Sequence, residues 1–213
     1  MHELDPPYAG MTGEVDDQQR TDVMRWRKAE RQRLLAERRA ISSEVRRSAA
    51  KRIVTALMEA IGDVRGLTVS VYWPSRGEPD LRDPIARIIA AGGHCALPVV
   101  VERGRPLAFH SWAPGERLER GFWNIPVPAN GHKVVPDLVI APVVSFDRAC
   151  YRLGYGGGYF DRTLAARPEK PRLFGVGYAQ AGIPTIYPQP HDIPMDAIVT
   201  EDGIVAAKSW ERR

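Results

Sequence analysis

Residues 152–162 have the sequence Arg152-Leu153-Gly154-Tyr155-Gly156-Gly157-Gly158-Tyr159-Phe160-Asp161-Arg162. Four glycines fall within five positions, after an apolar segment at 137–146 and before a helix-forming segment at 158–166. Residues without a Cβ atom let successive backbone N–H groups converge on an anion, and a following helix adds the positive end of its dipole. The order of strand, glycine loop and helix therefore predicts an α/β fold with a phosphate site at a strand end. The alternative is a glycine-rich turn without a ligand.

The glycine loop departs from the two best-known phosphate motifs. No Gly-Lys-Ser or Gly-Lys-Thr follows it, which excludes a P-loop. Tyr159 occupies the third glycine position of a dinucleotide fingerprint. Arg152 and Arg162 add positive charge on either side, and Asp161 adds a carboxylate where a phosphate-bound magnesium ion would lie. A different phosphate-binding arrangement is therefore predicted.

Strand-forming and helix-forming segments alternate along the chain. We predict helices at 22–39, from an N-cap near Ser42 to residue 61, at 83–91 and at 158–166. We predict strands at 67–73, 94–100, 107–110, 137–146, 172–178 and 196–200. Such alternation is typical of a sheet covered on both faces, whose ligands bind at loops beyond the strand ends.

Composition indicates one soluble globular domain, since the 213 residues are 44% hydrophobic and 26% charged. We predict a flexible acidic leader at 1–20 and a single domain at 21–213. No apolar run is long enough to cross a membrane and the first residues do not form a signal peptide, so we expect a cytoplasmic protein. Cys95 and Cys150 lack ligand-like spacing, which indicates buried thiols rather than a disulfide or zinc site.

The positive charge is concentrated in the predicted domain. Six acidic residues and one arginine lie in residues 1–22, although the whole chain has a net charge of +4. An anionic small molecule accounts for the basic surplus, and so does nucleic acid. In the first predicted helix, Arg27 and Arg31 lie one turn apart on one face, with Lys28 beside them. These residues can clamp a polyphosphate, or they form a solvated basic face.

Two loops carry candidate residues for a flat, polar ligand. Trp73 and Glu78 follow a predicted strand, where an acid faces either a pocket or solvent. Trp123 begins the rigid run Trp-Asn-Ile-Pro-Val-Pro. Its indole, like the rings of Tyr155 and Tyr159, suits stacking on a heterocycle; the alternative is a surface loop packed on itself.

A His-Asp pair at 191–192 precedes the last predicted strand. A Ser-His-Asp triad is poorly supported because the chain has no Gly-x-Ser-x-Gly nucleophile elbow. Magnesium takes one or two carboxylates from a protein and completes its shell with water and phosphate oxygens. Asp161 and Asp192 meet that requirement.

The run Arg-Leu-Gly-Tyr-Gly-Gly-Gly-Tyr-Phe-Asp-Arg-Thr-Leu, preceded by Ser145-Phe146-Asp147, resembles the signature of the 5-formyltetrahydrofolate cyclo-ligase family. The resemblance extends over about residues 25–203. It implies a three-layer α/β/α sandwich with a mostly parallel sheet, related to the sugar-phosphate isomerase and CoA-transferase type. It also implies ATP and Mg²⁺ as cofactors.

The resemblance further implies roles for individual residues. Contacts to ATP are expected from Arg27, Lys28, Arg31, Arg152, Leu153, Gly154, Tyr155, Gly156, Gly157, Gly158, Tyr159 and Phe160. Contacts to the folate substrate are expected from Trp73, Glu78, Trp123, Tyr155 and Tyr159. Metal binding is expected from Asp161 and Asp192, and participation in catalysis from Arg152 and Tyr159.

The chain departs from many family members at Gly157, where they carry lysine. The positive charge that contacts the transferred phosphate must then come from Arg152, Arg27 or Arg31.

The implied reaction transfers the γ-phosphate of ATP to the N5-formyl oxygen of 5-formyltetrahydrofolate. Attack by N10 then closes the ring and expels phosphate, giving 5,10-methenyltetrahydrofolate. The protein contributes mainly positioning and charge stabilisation. We expect a monomer that binds small molecules and neither nucleic acid nor membrane. The alternatives are an idle or repurposed family member that binds nucleotide or pterin, and an RNA-binding module that uses the basic N-terminal helices.

Overall fold

The structure is a computed structural model that describes residues 17–207 and residue 210. Most of the predicted leader, residues 1–16, lies outside the described residues. Its last four residues, 17–20, belong to the first helix, which begins five residues before the predicted start.

The described part of the chain contains four α-helices, twelve strands and two 3-10 helices, at Phe122–Asn124 and Ala179–Ala181. The helices are α1 (Asp17–Ala40), α2 (Ser43–Ile61), α3 (Arg82–Ala90) and α4 (Tyr159–Ala165). The first six strands are β1 (Thr68–Ser70), β2 (His94–Val99), β3 (Ala108–Ser111), β4 (Leu118–Arg120), β5 (Pro126–Pro128) and β6 (Lys133–Val134). The last six are β7 (Leu138–Pro142), β8 (Ser145–Phe146), β9 (Arg152–Leu153), β10 (Arg172–Val176), β11 (Ala197–Thr200) and β12 (Gly203–Ala206).

The main sheet has eight strands in the order β12-β11-β10-β7-β1-β2-β3-β6. Its five central strands are parallel, β12 pairs antiparallel with β11 at one edge, and at the other edge β3 pairs antiparallel with both β2 and β6. The predicted α/β class with a mostly parallel sheet is therefore confirmed. β1 pairs with β2 on one side and with β7 on the other, so the direction of chain progression reverses between β1 and β7. In such sheets ligands bind beyond the carboxyl ends of the strands at this reversal.

Two apolar clusters cover the two faces of the sheet. On one face α2 and α3 pack on the strands, with Ile53, Leu57 and Ile85 among the fully buried side chains. On the other face α4 contributes Leu164, and loop residues including Phe146 complete the layer. This arrangement has three layers. No residue of α1 belongs to either cluster, because the buried face of α1 contacts loops. Ile41, which follows the helix, packs against the first cluster.

The predicted element boundaries are accurate where a local signal marks them. The Ser42 hydroxyl accepts a hydrogen bond from the Val45 amide and begins α2, and Gly62, with φ 69°, ends it. Both cysteines are buried and free, as predicted, and burial raises the pKa of Cys95 to about 12 and that of Cys150 to about 11.

The predicted strand at 137–146 is wrong as a single element. β7 ends at Pro142, which has no N–H to continue the ladder. The chain then turns away, and the Val144 amide bonds to the Leu153 carbonyl instead. Residues 145–146 pair with Arg152–Leu153 in a separate hairpin, β8 and β9. This hairpin carries the glycine loop beyond the carboxyl edge of the sheet.

No helix in residues 17–207 combines the length and apolar character needed to cross a membrane.

Candidate active site

The candidate site lies beyond the carboxyl ends of β1 and β7. The loop after β1 contains Glu78, and the hairpin after β7 leads into the glycine loop at 154–158. α1 contacts both loops and also the segment that ends at Asp192. Most predicted site residues therefore lie around the point where the sheet order reverses.

α1 presents an unusual buried stripe to these loops. Arg27, Arg31, Leu34 and Arg38 follow one another at intervals of four, three and four residues, which places them on one helix face. Arg27 is 3% exposed and Arg38 is 5% exposed. Arginine is almost never buried without partners, so the contacts of these side chains determine where α1 lies.

Arg27 forms an ion pair with Asp192, with 2.6 Å between Nη2 and Oδ2, and its Nε donates to the Ile186 carbonyl at 3.2 Å. The Gln189 amide also donates to Asp192 Oδ2, at 2.7 Å. These contacts fix the loop that carries Asp192 against the N-terminal half of α1.

Arg31 is the least satisfied arginine of the stripe. Its Nε donates to the Gly154 carbonyl at 2.8 Å, and among the described residues no carboxylate lies within ion-pairing distance. Burial, reinforced by the charge of Arg27, lowers the pKa of Arg31 below its usual value. An anion at the glycine loop would supply the missing charge partner.

Arg38, Tyr155 and Glu78 form a continuous hydrogen-bonded chain. Arg38 Nη2 donates to the Tyr155 hydroxyl, which in turn donates to Glu78 Oε1. The other carboxylate oxygen, Oε2, accepts from the amide of Ser75 at 2.7 Å. The chain connects α1, the glycine loop and the loop after β1.

Glu78 is 8% exposed, and burial raises the pKa of its carboxyl. The hydrogen bonds from Tyr155 and Ser75 and the charge of Arg38 oppose that effect. Burial likewise raises the pKa of Tyr155, with a further contribution from the Glu78 charge, so the phenol remains a neutral donor. The predicted alternative of a solvated loop acid at Glu78 is wrong.

The glycine loop adopts backbone conformations that require glycine at two positions. Gly156 has φ 94° and Gly158 has φ 63°, both in the left-handed region. At Gly157, a Cβ atom would lie 2.6 Å from Cε2 of Tyr159. Any side chain at this position would therefore displace the Tyr159 ring from the place that it occupies beside Gly157.

Arg152 is buried and donates from Nη1 to Asp161 Oδ1 at 2.9 Å. The Ile193 amide donates to the same oxygen at 3.2 Å, which brings Asp161 beside the segment that carries Asp192. Residues 17–207 contain no cluster of three or more potential metal ligands. Oδ2 of Asp161 and Oδ1 of Asp192 receive no hydrogen bond from the described residues, although His191 Nε2 lies 3.9 Å from Asp192 Oδ1. Each carboxylate therefore has one oxygen that can bind a cation. This donor set fits magnesium, which needs only one or two protein carboxylates.

Aromatic residues form one wall of the site. Trp123 packs edge-on against Tyr159, with ring centroids 5.5 Å apart, and remains 53% exposed. Its φ of 53° is unusual for a bulky side chain, and such strain is concentrated at functional positions. The Gly104 amide donates to the Tyr159 hydroxyl at 3.4 Å, so the loop at 100–106 borders the same wall.

Two predicted site residues lie apart from these contacts. Lys28 is exposed on the flank of α1, whereas Arg27 beside it is buried in the site. Trp73 packs edge-on against Trp112 at the margin of the core, 5.7 Å between centroids.

Arg38 was not predicted as a site residue. It lies eleven residues after Arg27 and seven after Arg31, and this spacing, which places it on the same helix face, is the sequence signal that could have identified it.

The sequence profile of the 5-formyltetrahydrofolate cyclo-ligase family matches residues 23–201. The 5-formyltetrahydrofolate cyclo-ligase of Escherichia coli (strain K12) is 31% identical over 183 residues, which cover 82% of this chain and 97% of that protein. The Mycolicibacterium smegmatis protein of the same name is 28% identical over 184 residues, with 82% and 94% covered.

Solved structures have the same fold. The NMR structure of Aquifex aeolicus 5,10-methenyltetrahydrofolate synthetase is 27% identical and superposes with a TM-score of 0.74, covering 87% of this chain and 94% of that chain. The synthetase from Mycoplasma pneumoniae, at 20% identity and a TM-score of 0.68, supports the fold alone. The extent of the profile match and the agreement of fold show that this chain belongs to the 5-formyltetrahydrofolate cyclo-ligase family.

Proposed function

We propose that the protein is a 5-formyltetrahydrofolate cyclo-ligase that consumes ATP and produces 5,10-methenyltetrahydrofolate, ADP and phosphate. The observation that carries this proposal is the hydrogen bond from Tyr155 to Glu78. It joins a loop suited to phosphate and a buried carboxylate suited to a pterin within one cleft. The two substrates of a phosphoryl transfer must meet in such an arrangement.

The ATP subsite comprises the glycine loop and Arg31. Backbone N–H groups of the loop would face the phosphates, and the half-buried guanidinium of Arg31, which forms no ion pair with a described carboxylate, would supply positive charge. Arg27 and Arg152 are each buried in an ion pair, with Asp192 and Asp161, and in this proposal they fix those carboxylates in place. Their direct contact with ATP stays a prediction.

Asp161 and Asp192 would hold Mg²⁺ through the oxygens that their arginine partners leave free. Bound magnesium supplies neutralisation of the phosphate charge. The chain's own contribution is to fix the positions of both carboxylates, through Arg152, Arg27 and the Ile193 amide.

The folate subsite comprises Glu78, Tyr155, Tyr159 and Trp123. An ionised Glu78 accepts hydrogen bonds from amino and ring N–H groups of the pterin. Trp123 and Tyr159 form the aromatic wall beside the glycine loop. Contact between Trp73 and the folate stays a prediction, because its ring packs on Trp112 at the margin of the core.

The reaction needs no protein nucleophile. The formyl oxygen of the substrate bonds to the γ-phosphorus as the bond to ADP breaks, which converts that oxygen into a phosphate leaving group. N10 then attacks the formyl carbon, the carbon–oxygen bond breaks, phosphate leaves and the N10 proton is released. The site provides cations, backbone donors and an aromatic wall, which position the substrates and stabilise charge.

The test is absorbance in the methenyltetrahydrofolate band after the purified protein is mixed with 5-formyltetrahydrofolate, ATP and Mg²⁺. Growth of the band that requires both ATP and metal, with EDTA as a control, would support the proposal. A flat trace from folded protein would favour the idle or repurposed family member. The buried Arg27 and Arg38 give little support to an RNA-binding module, because their guanidinium groups bond to protein acceptors.

A further inference from the structure

We propose that Arg38 is a positioning residue of the folate pocket, which acts through the Tyr155 hydroxyl to hold the Glu78 carboxylate as a hydrogen-bond acceptor for the substrate. This inference rests on the proposed function, because it assigns the acceptor to the pterin.

Arg38 is anchored on both sides of the sheet reversal. Its Nε donates to the Arg76 carbonyl at 3.2 Å, in the loop after β1, and its Nη1 donates to the Val143 carbonyl at 3.3 Å, just after β7. The guanidinium is rigid and planar, so these two bonds fix the direction in which Nη2 points. That direction leads to the Tyr155 hydroxyl.

The chemistry of the groups sets the direction of every hydrogen bond in the chain. An arginine can only donate, so the Tyr155 oxygen accepts from Arg38 and its single proton is left for Glu78. Ser75 donates to the other carboxylate oxygen from its amide, and its hydroxyl lies 3.2 Å from that oxygen. The hydrogen bonds from Tyr155 and Ser75 therefore favour the ionised form of Glu78.

The charge of Arg38 opposes the effect of burial on the pKa of Glu78. Burial raises the pKa of this carboxyl, and the charge of Arg38 lowers it. The other titratable or charged groups of the surrounding elements are Arg46 of α2, Tyr72 and Arg76 near the end of β1, Tyr178 after β10 and Glu201 after β11. Burial raises the pKa of both tyrosines, so they carry no charge at neutral pH.

Loss of the Arg38 charge should therefore weaken folate binding in a pH-dependent way. The pKa of Glu78 would rise further, and a protonated carboxyl replaces an acceptor with a donor that opposes the pterin N–H groups. Folate affinity would fall as the pH drops through this higher pKa, and it would recover at higher pH. The ATP site would change less, because Arg31 and the glycine loop keep their own contact.

The experiment compares Arg38→Gln, Arg38→Lys and Tyr155→Phe with Arg39→Gln, an exposed neighbour on the same helix. We expect Arg38→Gln to raise the KM for 5-formyltetrahydrofolate about tenfold at pH 7, with a smaller change in kcat, and to move the acidic limb of the KM profile to higher pH. Arg38→Lys should return that limb toward the wild-type position. Tyr155→Phe should move the acidic limb in the same direction as Arg38→Gln. The Arg38→Gln/Tyr155→Phe double variant should lose less folate affinity than the sum of the losses in the two single variants.

Unchanged folate KM and an unchanged acidic limb in folded Arg38→Gln would overturn the inference, as would an equal shift in Arg39→Gln. Tyr155→Phe decides the matter if Arg38→Gln does not fold, because it leaves both bonds from Arg38 to backbone carbonyls in place. Absence of turnover in the wild type would refute the proposed function instead. The pH dependence of 5-formyltetrahydrofolate binding, measured by calorimetry on the same variants, would then test the role of Arg38 separately.

Discussion

α1 and α2 are consecutive helices joined by Ile41 and Ser42, yet they bury opposite kinds of surface. The buried side chains of α1 are Arg27, Leu34 and Arg38. Those of α2 are Ala49, Ile53, Val54, Leu57, Ala60 and Ile61. α2 is therefore held by apolar area against the sheet, whereas α1 is held by directed hydrogen bonds to loops.

The difference indicates a division of labour between the two helices. Burial of apolar side chains stabilises a fold without specifying exact geometry. A buried arginine stabilises little in net terms, because desolvation offsets much of its ion-pair energy, but it fixes the position of its partners. We therefore expect changes in α2 to alter stability and changes on the buried face of α1, or in its partners, to alter chemistry.

The largest expected effect is on stability, in α2. Leu57→Ala should lower the free energy of unfolding by about 3 kcal/mol, since the side chain is fully buried and its loss leaves a cavity. Denaturant titration measures this change, and Glu59→Ala, exposed two residues away, is the control. The kcat/KM of the folded variant should remain close to wild type. A large loss of kcat/KM in folded Leu57→Ala would contradict the proposal that α2 provides stability and α1 positions the site.

The next effect is on chemistry, among the partners of the polar stripe. Asp161→Asn should lower kcat about 100-fold, because it removes a charge from the proposed metal site and leaves the buried Arg152 without its carboxylate partner. The KM for 5-formyltetrahydrofolate should change much less. Steady-state kinetics over a magnesium titration measure both, with exposed Glu169→Gln as the control. Wild-type turnover at ordinary magnesium would contradict the role of Asp161.

The same contrast explains what could be predicted from the sequence. The helices that cover the sheet have strong local signals, such as the Ser42 cap, the Gly62 stop and the apolar periodicity of α2, and they were found close to their true bounds. The central strands of the parallel sheet were also found, because each is a short apolar run between turn residues. The short strands β4, β5, β6, β9 and β12 were not, because two to four residues carry no measurable alternation.

The site was only partly predictable for a different reason. The glycine loop and Glu78 are marked by local composition and by family resemblance. The three arginines of α1 contact partners that are distant in the sequence. Arg27 is 165 residues from Asp192, Arg31 is 123 residues from Gly154, and Arg38 is 117 residues from Tyr155. No local sequence pattern indicates which arginine forms an ion pair. Only the structure shows that Arg27 pairs with Asp192, whereas Arg31 forms no ion pair with a described carboxylate.

A smaller kinetic effect should distinguish Arg31 from the exposed side of the same helix. Arg31→Gln should raise the KM for ATP about tenfold and leave the KM for folate nearly unchanged, because it removes a cation next to the glycine loop that has no ion-pair partner among the described residues. Arg33→Gln is the matched control, since Arg33 pairs with Glu30 and Glu37 on the solvent face. Equal effects of the two variants on ATP would show that net charge, rather than position on the stripe, governs binding.

The smallest effect tests the junction between the two helices. Ser42→Ala should lower the free energy of unfolding by about 1 kcal/mol, because the Val45 amide loses its capping hydroxyl. Ser43→Ala, the next residue, is also exposed and provides no such bond, so it should be nearly neutral. Arg46 also secures the junction, by donating from Nε to the Ile41 carbonyl at 2.9 Å, and this contact should preserve the position of α1. Under conditions in which both variants are fully folded, their kcat and KM values should therefore match those of the wild type. A rise in the KM for ATP or folate in Ser42→Ala, absent in Ser43→Ala, would show that the arginine stripe depends on the start of α2, and that the two helices act as one unit.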